Sequence, residues 1–358
     1  MTIEKYIKQM RTSISDNKSY YEYKKIIFKY IEFLKNILVE NPQNIKAVCQ
    51  LAIMYMEARE PVEKSVELME DTFNKFSDEI NHDELAELLN NLAFFYAKEM
   101  YNIDKSKQLL VKAIEINTKI PNTYNALGMI FLNENNIIDA LKMFSNATYL
   151  SKDIKYQNNY AVALYYAGQI DKAIEIFKNI SKKWQNNEVA AKAYYSYGMS
   201  KSFLGDISTA IEVANSLHSR LDHKVYVDAY KIADLYYMCN EYKKCIELYD
   251  YEKLYPSADW LSIYFYSFQA LNLKERLARV FNDIIIQKES DLKEAYIDND
   301  ESWTVEERKS YIEDLNKEIK DFADLYNSIL VKRCKPCIDF KPELIYGCYL
   351  VDCPRHSN

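Results

Sequence analysis

Apolar residues recur along this chain at helical spacing, and the whole pattern then repeats. Counted from Tyr124, the positions Leu127, Gly128 and Phe131 form one apolar stripe, and Ala140, Phe144 and Ala147 form a second after a short break. Spacings of three and four within each stripe predict two amphipathic helices. The same offsets from Gln157 give Tyr160, Ala161, Leu164, Ala173, Phe177 and Ile180. From Tyr194 they give Tyr197, Gly198, Lys201, Ala210, Ala214 and Leu217. A small residue marks each second helix at Ala140, Ala173, Ala210 and Cys245, in steps of 33, 37 and 35 residues. Asn135, Gly168, Gly205 and Asn240 stand at equivalent turns, where a left-handed residue is needed to end one helix tightly.

The pattern extends in both directions. Residues 19–40 read as one long helix through Tyr23, Ile27, Tyr30, Leu34 and Leu38, stopped by Asn41-Pro42. Two further pairs follow, one carrying Leu51, Ala52, Tyr55, Val66, Met69 and Phe73, the other Leu92, Ala93, Tyr96, Leu109, Leu110 and Ala113, with a turn one residue longer than the consensus. The pair at 257–288 is still amphipathic but puts Leu277 at the small position. The acidic stretch 289–301 reads as a polar connection. Thr304 with Glu307 then predicts a capping box opening a helix through Tyr311, Leu315, Ile319, Phe322, Leu325 and Ile329.

This repeat resembles the tetratricopeptide family, whose period is about 34 residues. The resemblance implies an all-α, right-handed α-solenoid of about seven helix pairs over 20–288. It divides the chain into an N-terminal helical cap (1–44), the solenoid (45–288), an acidic connection with a capping helix (289–331) and a non-helical Cys-rich tail (332–358). It also implies that the first helix of each pair lines an inner groove, where family members commonly hold an extended peptide. Carried onto this sequence, the inward positions are Cys49, Asn90, Asn125, Asn158, Tyr195 and Tyr230, with Phe94, Met129 and Tyr165 among their neighbours. An Asn amide donates to a peptide carbonyl and accepts from a peptide N–H at once. The expected peptide-binding set is therefore Asn90, Phe94, Asn125, Met129, Asn158, Tyr165, Tyr195 and Tyr230. Lys98, Lys155, Lys192 and Lys201 offer charge on the same helices, but no arginine joins them to make a bidentate carboxylate clamp.

Composition narrows the function. Five Gly and seven Pro in 358 residues leave few interruptions to helix, and 32 Tyr suit packing at helix margins with hydroxyls reaching water. A net charge of −7 without a basic block excludes the electrostatic footprint of a direct nucleic-acid binder. With no secretory start and no long apolar run, the expectation is a cytoplasmic protein without a membrane partner. The usual catalytic signatures are missing, so the chain reads as a non-enzymatic scaffold binding a peptide or protein segment, its oligomeric state left open.

Cys334, Cys337, Cys348 and Cys353 crowd into the last 25 residues, whereas Cys49, Cys239 and Cys245 sit at packing positions. The gap between Cys334 and Cys337 suits a zinc site completed by Cys348 with Cys353, or by His356. Unliganded thiols, disulfide or redox chemistry, and a precursor-like core presented to a peptide-modifying enzyme are the other readings. No cofactor besides zinc is implied. The tail carries a net charge of +2 and three Pro, which oppose helix and leave its backbone accessible.

Overall fold

The computed structural model describes residues 2–15, 20–116, 118–221, 226–252, 257–298 and 302–356. It contains α-helices and one 3₁₀ turn, with no strand among the described residues. The chain forms two compact units: Met1–Ile176 with Glu343–Asn358, and Phe177–Pro342.

The first unit opens with α1 (Ile3–Ser15) and α2 (Tyr20–Glu40), followed by the pairs α3 (Ile45–Glu57) with α4 (Val62–Phe76), α5 (His82–Lys98) with α6 (Ile103–Glu115), and α7 (Pro121–Asn133) with α8 (Ile137–Leu150). Next comes α9 (Ile154–Tyr166), and α10 (Ile170–Ile180) divides its residues between the units. The second unit continues with α11 (Glu188–Phe203) and α12 (Ile207–His218), α13 (Ala229–Met238) and α14 (Tyr242–Glu252), α15 (Ala258–Ala270) and α16 (Lys274–Ile297), and ends in α17 (Val305–Leu330).

The turns inside the pairs are built alike. Asn135, Gly168, Gly205, Asn240 and Asn272 all have φ between 57° and 79°. Each left-handed residue lets the next amide reach a carbonyl five residues back, as Asn136 does to Phe131 and Asp206 does to Lys201. Orphan carbonyls at the first helix end are thereby satisfied. The same Asn136 and Asp206 side chains then cap the second helix, accepting from the amides of Asp139 and Thr209. Three residues thus end one helix and start another. The α5–α6 turn needs Glu99–Asn102, one residue more, as its sequence implied, and there Tyr101 takes the left-handed conformation.

Ala140, Ala173, Ala210 and Cys245 are fully buried at the small positions. Within the second unit, a Cβ added at Gly198 would lie 2.7 Å from Val213 Cγ1 and 3.0 Å from Leu235 Cδ2. The glycine lets α11 approach α12 and α13 closely. Gly198→Val should therefore cost roughly 1–3 kcal/mol through overpacking, read as a lower urea midpoint; an unchanged midpoint would show that this crossing tolerates a side chain.

Two expectations need correction. Residues 1–44 hold two helices rather than one, because Ile3, Tyr6, Ile7 and Met10 already make an apolar stripe, and Tyr6 stacks on Tyr30 at 4.6 Å. The acidic stretch is helical as far as Ile297, since Glu, Leu, Lys and Ala are good helix formers and buried Ala295 anchors that turn. Residues 299–301 of the expected connection lie outside the described residues. The Thr304–Glu307 capping box is present, and α17 packs on α15 and α16 through buried Leu315, Phe322 and Ile329. It covers the last pair, as expected of a terminal cap.

Candidate peptide groove

In the first unit, α3 contacts α5 and α7 contacts α9, so the first helices of the pairs are neighbours. Along them runs the C-terminal segment 343–356, which forms neither helix nor strand. Its main chain is bonded by amide side chains. Asn159 Nδ2 donates to the Ile345 carbonyl at 3.1 Å, while the Ile345 N–H donates back to Asn159 Oδ1 at 2.7 Å. Asn158 donates to the Glu343 carbonyl at 3.1 Å. One pair of side chains from α9 thereby holds three main-chain groups of the segment.

The arrangement recurs on α5, where Asn90 donates to the Tyr349 carbonyl at 2.6 Å and the Val351 N–H donates to Asn91 Oδ1 at 2.8 Å. On α3, Gln50 donates to the Asp352 carbonyl at 3.0 Å. These amides are themselves fixed: Thr123 donates to Asn90, Asn159 donates to Asn125, and Tyr30 donates to Gln50. Such buttressing limits the side-chain entropy lost when the segment docks.

Apolar burial accompanies the polar rungs. Tyr349, Leu350 and Cys353 are buried within the same core cluster as Leu51, Phe94 and Met129, and the Tyr349 ring meets Phe94 edge-on at 5.1 Å. Burying a leucine such as Leu350 is worth about 1.5–3 kcal/mol. At the far end, Arg355 grips Glu57 through two bonds of 2.6 Å, and the Glu57 side chain is only 1% exposed. Arg11 from α1 donates to the carbonyls of Cys353 and His356. Nearby, burial together with the Asp352 charge pushes the Glu87 carboxyl up to about 7.

Helix pairs with a left-handed turn, a buried small residue at each crossing, a period near 34 residues and a segment lying on the first helices decide the architecture. The fold is of the tetratricopeptide type. No family model and no curated protein matches the chain. Among solved structures it is similar to YrrB, a tetratricopeptide protein with an unusual peptide-binding site, at 16% identity over 59% of this chain and 97% of that one, with a TM-score of 0.43. A tetratricopeptide protein from Parabacteroides merdae shows 12% identity over 73% and 96%, with a TM-score of 0.45. Yeast Tom70 shows 16% identity over 88% of this chain and 63% of its own, with a TM-score of 0.44.

Within this tetratricopeptide array the expected groove residues fall into three groups. Asn90 and Asn158 touch the segment directly, and Phe94 packs on it. Asn125 and Met129 lie behind, Asn125 accepting from Asn159 and directing its own amide at the Met129 sulfur. Tyr165 meets Tyr166 edge-on. In the second unit, Tyr195 packs on Phe340 of the tail, joined by Phe203, and Tyr237 donates to the Pro336 carbonyl at 2.7 Å. Tyr230 instead packs against Tyr249 and Trp260, within the helix layer.

Asn91, Asn159 and Gln50 were missed by the sequence argument, whereas Tyr237 stood among the expected neighbours of the groove. The signal was present as doubled amides, Asn90-Asn91 and Asn158-Asn159, at equivalent places on α5 and α9. The lysines considered for a clamp have other contacts: Lys98 lies over the Tyr346 ring, while Lys155, Lys192 and Lys201 pair with Asp153, Glu188 and Asp206. The tail backbone, expected to be accessible, is instead bonded along the first helices.

The four tail cysteines divide between the units. Cys334 and Cys337 are exposed in the second, with no third ligand-type side chain gathered at them among the described residues. Cys348 and Cys353 belong to the first, where His356 joins them. The set assembled within the first unit is Cys348, Cys353 and His356. Cys49, Cys239 and Cys245 are buried packing residues, as expected. No helix among the described residues is long and apolar enough to cross a membrane.

Proposed function

We propose that this chain is a non-catalytic protein-binding scaffold whose first-helix groove takes an extended peptide segment by its main chain. Its own residues 343–356 occupy that groove until a partner segment displaces them. The observation carrying this reading is the two-way pairing of the Asn159 amide with the Ile345 backbone, repeated in divided form by Asn90 and Asn91. Main-chain pairing of this kind grips an extended strand without reading its side chains, so one groove accepts more than one segment. Specificity then rests on the apolar seat of Tyr349 and Leu350 and on the Glu57 carboxylate, which selects a segment with a basic residue at the place of Arg355.

A tethered occupant competes at millimolar effective concentration for a short linker. A labelled peptide of residues 343–356 should therefore bind a chain ending at 342 at least a hundredfold more tightly than it binds the intact chain. Asn159→Ala in the shortened chain should weaken that binding by about 1–3 kcal/mol, given two bonds to the peptide. Equal binding to both chains, or indifference to Asn159, would remove the proposal.

A further inference from the structure

Cys348, Cys353 and His356 present two sulfurs and one imidazole nitrogen, all within 4.8 Å of one another. The Cys353 Sγ to His356 Nδ1 separation is 3.3 Å. With Zn–S near 2.3 Å and Zn–N near 2.1 Å, a tetrahedral zinc site has an S to N edge of about 3.6 Å. The pair already stands at the right spacing, and Cys348 has at most about an ångström to close. Donor type fits as well, because thiolate and imidazole together select a borderline-soft cation over calcium or magnesium. The cluster borders an open cavity of about 650 Å³, lined also by Glu57, Lys98 and Tyr346, which leaves room for a fourth ligand such as water.

We propose that Cys348, Cys353 and His356 bind one zinc-class divalent cation, and that this cation shapes the turn that docks the tail. The three ligands enclose Tyr349 and Val351, whose main-chain groups meet Asn90 and Asn91, and Arg355, which meets Glu57. Fixing the turn lowers the entropy lost on docking, so metal affinity and docking strengthen each other by the same factor. The metal site stands on its own geometry; its coupling to docking rests on the groove reading above.

The test uses the intact chain, purified with a phosphine reductant and stripped of metal. Cobalt(II) should bind at one equivalent with thiolate-to-metal charge-transfer absorption and the intense visible bands of tetrahedral coordination, and zinc should displace it. Cys348→Ser, Cys353→Ser and His356→Ala should each lower affinity at least tenfold, while the double change Cys334→Ser, Cys337→Ser should leave it unchanged. Absence of these bands, loss of binding in the Cys334/Cys337 variant, or a Cys348–Cys353 disulfide persisting in reductant would overturn the site. Hydrogen exchange at the Val351 amide, measured with and without zinc, reads the coupling separately. Slower exchange with zinc supports it, whereas equal exchange in a chain that binds cobalt normally discards the coupling and keeps the site.

Discussion

Replacing Asn90, Asn91 and Asn159 together by alanine should free the tail of the intact chain while leaving its helices formed. Four hydrogen bonds to the segment disappear: two carbonyls, on Ile345 and Tyr349, lose their donors, and two amides, on Ile345 and Val351, lose their acceptors. At about 0.5–1.5 kcal/mol net for each, the loss is roughly 2–6 kcal/mol. Main-chain groups left in the groove would also be buried without partners, which favours their return to water. Hydrogen exchange at Ile345 and Val351 should accelerate about thirtyfold or more, with helical circular dichroism retained. Because Asn159 also bonds Asn125, and Asn90 also bonds Thr123, some loss of thermal stability should accompany release. Unchanged protection at both amides would mean that apolar burial of Tyr349 and Leu350, with the remaining bonds from Asn158, Gln50 and Glu57, is enough to hold the segment.

Arg355→Ala should have a comparable effect at the other end of the segment. Glu57 is almost wholly covered, and its carboxylate is satisfied by the two Arg355 bonds with help from the Tyr23 hydroxyl. Removing the guanidinium leaves a buried carboxylate with one donor. Breaking a buried pair costs about 3–5 kcal/mol, but Arg355 is itself 57% exposed, so we take roughly 2–3 kcal/mol. The chain can avoid that cost by lifting residues 353–356 and hydrating Glu57, so the variant should show rapid exchange near Val351. Glu57→Gln should restore part of the protection in the Arg355→Ala background, since a neutral amide is cheaper to leave under-bonded. Equal destabilisation by both variants would place Arg355 in a merely structural ion pair.

Much of this was legible in the residues. Helix pairs, left-handed turns at Asn135, Gly168, Gly205 and Asn240, small crossing residues and the closing helix after Thr304 all follow from local periodicity and capping, which depend on neighbours within one or two turns. Of the three Asn expected to hold backbone, Asn90 and Asn158 bond the main chain of residues 343–356, whereas Asn125 accepts from Asn159 behind them. The short helix α1 and the length of α16 were readable but hidden by charge, which masked the stripe of Ile3, Tyr6, Ile7 and Met10 and the helix-forming composition after Glu289. What bonds to those amides was not legible. Asn90 meets Tyr349 across 259 residues of sequence, and Glu57 meets Arg355 across 298. Pairings at that separation leave no periodic trace, since an extended segment bound by its main chain needs no particular side chain at most positions. The grouping of Cys348 and Cys353 with His356, apart from Cys334 and Cys337, likewise follows from where the docked backbone turns. Local sequence therefore determined the helices and the amides they carry, and tertiary structure decided that residues 343–356 lie against those amides.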